Sequence, residues 1–293
     1  MKKLRSLKLA ALILVAVSFF SCKSIPDFEP VEPIELLDGD AAVYMSIPVQ
    51  ANRDFVNRAI SRIGRIAEAD AEKVSQRLEV AYISIDAEGA LQLSASCDIP
   101  TTFLGFVLTE KNGWKKSETE GVPFYTHTLT AYQLCVPSNE NLFLSKDIKD
   151  ALCRFNILSR PDLYVADGNK RVKSFDELLR EKGYAFLHEN NSPDIKLYSP
   201  DPSYLINAFF GPVGIKSTVS SVYAVLSQYK GVKNQFNATL ILNLSDSRTV
   251  KATIGLLKIG LFGLPVRITA TGERQITITD FPISSDKMLS FIR

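Results

Sequence analysis

The stretch VAYISIDAEGALQLSASC, residues 80 to 97, sets the reading of the whole chain. From Val80 to Ile85 and from Leu91 to Cys97 apolar and small or polar side chains alternate with a period of two, the period of a strand. Glu88 and Gly89 supply a turn between them. Two strands joined so closely pair antiparallel, so the stretch predicts a β-hairpin. Val219 to Ser227 and Phe236 to Leu244 predict a second hairpin, with Gly231 in its turn.

Outward from each hairpin the elements follow in the same order. Before the first lie a strand from Ala42 to Ile47, closed by Pro48, and a helix that starts near Asn52. Phe55, Val56, Ala59, Ile60 and Ile63 recur in that helix at helical spacing, and a second helical stretch covers Ala71 to Leu78. After it, Pro100 opens a short apolar helix that stops at Asn112 and Gly113. Gly121-Val122-Pro123 then leads into strands Phe124 to Thr128, Tyr132 to Val136 and Leu142 to Ser145, and Asp147 caps a helix through Phe155. Around the second hairpin stand a strand from Ile195 to Tyr198, a helix from Pro202 to Phe210 and an apolar helix from Asp246 to Phe262. Gly263-Leu264-Pro265, strands Val266 to Ala270 and Gln275 to Thr279, and a helix from Ser285 complete it. Gly89 to Gly121 is 32 residues, and so is Gly231 to Gly263. Order, spacing and Gly-x-Pro punctuation together predict an α+β fold of two tandem copies of a β-α-β-β-α-β-β-α module, with helices packed on a mostly antiparallel sheet. The copies are expected over residues 41–158 and 185–293, each with its own core, joined by a packed segment, 159–184.

The N-terminus carries a different signal. Lys2, Lys3, Arg5 and Lys8 precede an apolar run from Leu9 to Phe20, too short to cross a hydrocarbon core as a helix, and Ser21 and Cys22 follow. This arrangement resembles the signal peptide of bacterial lipoproteins, with Phe19 and Phe20 as a permissive form of the lipobox. The resemblance implies removal of residues 1–21 and acylation of Cys22 as the new N-terminus. Two or three acyl chains, at roughly 0.8 kcal/mol per buried methylene, would anchor the chain stably to a membrane. Residues 22–40 hold Pro26, Pro30 and Pro33 among acidic side chains. They read as an extended tether of up to about 45 Å, at ~3.1 Å per residue.

Charge narrows the function. The 293 residues hold 34 basic and 32 acidic groups, and the leader carries four of the basic ones and no acidic one. The mature chain therefore has 30 against 32, a net charge of −2. It has no general attraction for nucleic acid or anionic head groups, so membrane contact must come from acyl chains or apolar surface.

Catalytic signals are absent. His127 and His188, the two histidines, have no metal-ligand or zinc-protease spacing around them and read as structural or solvated. Cys97, Cys135 and Cys153 are not at Cys-x-x-Cys spacing; buried thiols and one disulfide both remain open. No nucleophile elbow, phosphate loop or dinucleotide fingerprint occurs, and neither cofactor nor metal is expected. Glu68, Asp70 and Glu72 read as a solvated helix start.

The remaining candidates are the two apolar helices. Phe103, Leu104, Phe106 and Val107 in the first and Leu257, Leu261 and Phe262 in the second form the candidate apolar-ligand or docking surface, with Arg248, Lys251 and Lys258 on one narrow stripe of the second. The sequence thus predicts a non-enzymatic envelope lipoprotein, held in a bacterial membrane through Cys22, that binds another envelope component. The alternative is a carrier or sensor of a lipid or other apolar ligand held between sheet and helices. Whether it faces the periplasm or the cell surface stays open.

Overall fold

The stretch that sets the reading closes as its period requires. Strand β2 (Leu78–Ile85) pairs antiparallel with β3 (Leu91–Cys97), with Ile83 opposite Leu93 and Ile85 opposite Leu91. Gly89 makes the turn at φ +86°, a conformation that costs a side-chain-bearing residue energy. The second hairpin, β9 (Val219–Gln228) with β10 (Gln235–Leu244), is longer, and its strict alternation buries Phe236, Ala238, Leu240, Leu242 and Leu244 on one face. The computed structural model describes residues 29–100, 103–119, 121–160, 183–189, 192–210 (backbone only from 208), 218–229, 231, 232 and 234–290. The leader, Cys22 and most of the connecting segment lie outside these.

The first half supplies β1 (Val43–Pro48), α1 (Arg53–Gly64), α2 (Glu68–Ser75), β2, β3, α3 (Leu104–Val107), β4 (Trp114–Thr119), β5 (Val122–His127), β6 (Gln133–Ser138), β7 (Asn141–Ser145) and α4 (Lys149–Ser159). The second supplies α5 (Gly183–His188), β8 (Ile195–Ser199), α6 (Ser203–Phe210), β9, β10, α7 (Val250–Gly260), β11 (Arg267–Gly272), β12 (Gln275–Ser284) and α8 (Ser285–Leu289). From β8 onward the order is the expected β-α-β-β-α-β-β-α. The first half adds α2 and further strand, including β4. Only Trp114 of β4 is fully buried, and Lys115, Lys116 and Glu118 are exposed, so the strand carries no clear alternation.

The twelve strands of the described residues form one antiparallel sheet in the order β11-β12-β10-β9-β8-β1-β2-β3-β7-β6-β5-β4. The opening strands of the two halves meet at its centre, where β1 pairs with β2 on one side and β8 on the other, Met45 facing Leu197. This corrects the expectation of two separate cores. Beneath α1, α2, α3, α6, α7 and α8 one apolar cluster runs across the seam, from Leu144 through Ile83, Met45, Leu197 and Leu240 to Ile278. Helix α1 bridges the halves: Phe55 meets Phe236 edge-on at 5.6 Å, and Arg58 is ion-paired with Asp286 at α8.

The tether expectation also needs correction. Val31, Ile34, Leu36 and Leu37 are buried on the opposite face, against Tyr44, Tyr82, Phe143 and the side of α4. Pro33 starts a single 3-10 turn, Pro33–Leu36, rather than an extended spacer. Asn141 Nδ2 donates to the Val31 carbonyl (3.0 Å), and Arg154 Nη2 and Nε donate to that of Leu36 (2.8 and 3.2 Å). Arg154 also pairs with Asp38 at 2.7 Å. The segment is a strap laid along the sheet. Its first described bond joins the Glu29 N–H to the Ser159 carbonyl (3.0 Å).

Candidate functional site

Helix α7 and the turn after it carry the most exposed apolar surface among the described residues. Asp246 starts the segment: its carboxylate accepts from the Arg248 backbone N–H (2.9 Å) and guanidinium, and these bonds hold its pKa below the usual carboxylate value. From there the helical period sorts the residues. Val250, Thr253, Leu257 and Leu261 turn toward the sheet and are buried. Leu256, Ile259 and Phe262 fall on the outward arc, and Ile259 and Phe262 are 75% and 91% exposed. Gly263, at φ +85°, lies in the turn after the helix, and Leu264 beyond it is also exposed. Lys251 and Lys258 border the same arc and are exposed. A shallow depression of about 210 Å³ beside Phe262 is lined by Lys258, Leu261, Leu264, Val266 and Ile268. The result is an apolar ridge with cations along its flank.

The seven sequence-predicted surface residues do not form one site. Leu104 and Val107 are core residues of α3, and Leu257 of α7 and Leu261 at its C-cap are core residues too. Phe103 is half-buried with the Arg77 guanidinium 4.8 Å over its ring. Of the seven, Phe106, 81% exposed, and Phe262 alone face solvent, one on α3 and the other in the turn after α7. Leu256, Ile259 and Leu264 complete the ridge. The available signal was the lysine stripe itself, because cations facing water mark the side of the helix that the sheet does not cover.

Between α1, α3 and the sheet lies a wholly apolar cavity of about 70 Å³, lined by Phe55, Ile63, Leu104, Trp114, Leu134 and Leu144 among others. It is about half the ~150 Å³ that holds one benzene, too small for an acyl chain.

His127 is buried against Trp114, ring centroids 5.1 Å apart, and its Nδ1 accepts from the Thr130 N–H at 3.2 Å. Burial and Arg65 lower its pKa. His188 stacks on Tyr184 at 5.3 Å and lies 3.4 Å from Glu32. Among the described residues Cys97, Cys135 and Cys153 are free thiols; burial pushes Cys97 and Cys135 up to about 12, and Cys153 is exposed. Among the described residues no group of His, Cys, Asp or Glu is arranged to hold a metal ion, and no helix is long and apolar enough to cross a membrane.

A family model described as "Outer membrane-associated lipoprotein TP0453" matches residues 29–289, from the first residue of the strap to the end of α8. The chain belongs to the TP0453 family. The family is described as one of outer membrane-associated lipoproteins, the class that the N-terminal resemblance implies. Outer membrane protein TP0453 of Treponema pallidum (strain Nichols) is 22% identical over 285 residues, covering 97% of this chain and 92% of that one. Crystal form I of TP0453 superposes with a TM-score of 0.65 at 18% identity, over 90% of this chain and 97% of that one. Crystal form III gives 0.63 at 19%, over 90% and 98%. The TP0453 structures thus share this large antiparallel sheet with its helices.

Proposed function

We propose that this chain is an outer-membrane lipoprotein that acyl chains on Cys22 hold to the bilayer and that the α7 ridge seats on the lipid surface. The exposure of Ile259 and Phe262 beside Lys251 and Lys258 carries this reading. Apolar side chains bordered by cations suit the boundary between acyl chains and head groups, where the rings and branches bury and the ammonium groups stay wet. The short link after Cys22 supports the anchor. Only seven residue steps separate Cys22 from Glu29, a reach of at most about 25 Å at ~3.3–3.6 Å each, so an acylated chain has its body close to the bilayer. The name of the Treponema relative, an outer membrane protein, points to the same membrane. The carrier reading is disfavoured by a cavity of about 70 Å³.

Vesicle flotation tests the ridge apart from the anchor. Unacylated residues 23–293 should float with phosphatidylethanolamine–phosphatidylglycerol vesicles, and the Ile259→Ser, Phe262→Ser double variant should bind at least about tenfold more weakly, since each side chain contributes roughly 1.5–3 kcal/mol when fully buried. Equal flotation of the two proteins, or none by the first, refutes the ridge. In cells, Cys22→Ala should abolish acyl labelling; label retained in that variant refutes the anchor.

A further inference from the structure

The sheet ends at β11, which pairs with β12 on one side and with no strand on the other among the described residues. Thr269, Ala270, Thr271 and Gly272 are exposed, and Ile268 is half-buried. An open row of backbone N–H and C=O groups is a template for another strand, and folded proteins usually guard it with charge or proline. The far edge, β4, is guarded by Lys115, Lys116 and Glu118. Strand β11 has no proline and one charge, Arg267, which is held at 2.8 Å by Asp280 on its own neighbour β12. Its one irregularity falls after Ala270, which leaves Arg267 to Ala270 in regular register.

We propose that β11 pairs antiparallel with β11 of a second copy of this chain. The sequence of the edge is self-complementary. A two-fold axis normal to the sheet keeps every side chain on its own face, so one residue must stand opposite itself. With Thr269 in that place, Ile268 faces Ala270 of the second copy, and the reverse, on the side that carries α7. Thr269 faces Thr269 on the other side, and Arg267 faces Thr271, so no like charges meet. Apolar residues meet apolar ones, hydroxyls meet hydroxyls, and the two sheets become one. Both α7 ridges then lie on the same side of the joined sheet. The pairing uses the strand edge and stands whether or not the ridge meets lipid.

The test uses unacylated residues 23–293 carrying Cys153→Ser, so that no exposed native thiol competes. Thr269→Cys should oxidise to a disulfide-linked dimer, because directly opposed strand positions bring Cβ atoms within disulfide reach. Lys116→Cys, on the guarded edge, should not. Sedimentation equilibrium of the protein without an added cysteine should show a dimer, and Thr269→Lys, which sets two ammonium groups face to face, should weaken it at least about tenfold with unchanged circular dichroism. Monomer at every soluble concentration overturns the proposal. So does equal cross-linking from both edges, or a dimer that Thr269→Lys leaves intact.

Discussion

His127 shows how one side chain reports its surroundings. In the fold its Nδ1 accepts from the Thr130 N–H, a bond open only to an unprotonated ring nitrogen, and burial first and Arg65 second lower its pKa. The unfolded chain, with a histidine near 6.5, therefore binds a proton at a higher pH than the folded chain does. The stabilising contribution is complete above pH ~6.5 and is lost as pH falls from there toward the lower folded value. Urea unfolding at pH 7.5 and 5.5 should show lower stability at 5.5, and His127→Gln should reduce the difference; an undiminished difference would remove His127 from the account. The sequence marked this residue as structural or solvated, and its place against Trp114 is the structural one. No spacing could reveal that contact, because Trp114 sits on β4, whose polar run hides its strand character.

Among the elements, the hairpins were legible and the strap was not. A strand that buries one face advertises it every second residue, as Phe236 to Leu244 does. A strap that buries Val31, Ile34, Leu36 and Leu37 between prolines has no period to show. Its aliphatic burial, roughly 1.5–3 kcal/mol per side chain, is of the same order as the cost of ordering the segment, so its polar bonds decide whether it stays down. Arg154 makes three of them, two to the Leu36 carbonyl and one to Asp38. Arg154→Ala should therefore destabilise the protein by about 2 kcal/mol and expose the strap to proteolysis, since it strands a buried carbonyl. Limited proteolysis with N-terminal mapping checks this, and an equally resistant strap would show that apolar packing suffices. The ridge was half legible: the apolar circumference of α7 could be read, but which arc lies uncovered depends on what lies beyond the helix.

At the scale of the molecule the repeated order of elements was visible, and the union of the halves was not, because in the sheet it is made by one pairing, β1 with β8, between residues about 150 apart. With one cluster running beneath helices of both halves, the halves should not unfold separately. Trp114, the single tryptophan, lies in the first half, whereas far-ultraviolet circular dichroism sees both. Urea transitions followed by Trp114 emission and by circular dichroism should coincide; an earlier emission transition would divide the molecule at the β1–β8 seam.

The strap also settles how a pull on the lipid end would travel. Tension applied at Cys22 enters at the Glu29–Ser159 bond and then meets the bonds of Val31, Leu36 and Asp38 in turn. A cord stitched across the back of a sheet loosens one stitch at a time, whereas a strand within the sheet must shear all its bonds together. Force on the anchor would thus be spent in unlacing the strap, and the twelve strands would be the last part of the molecule to feel it.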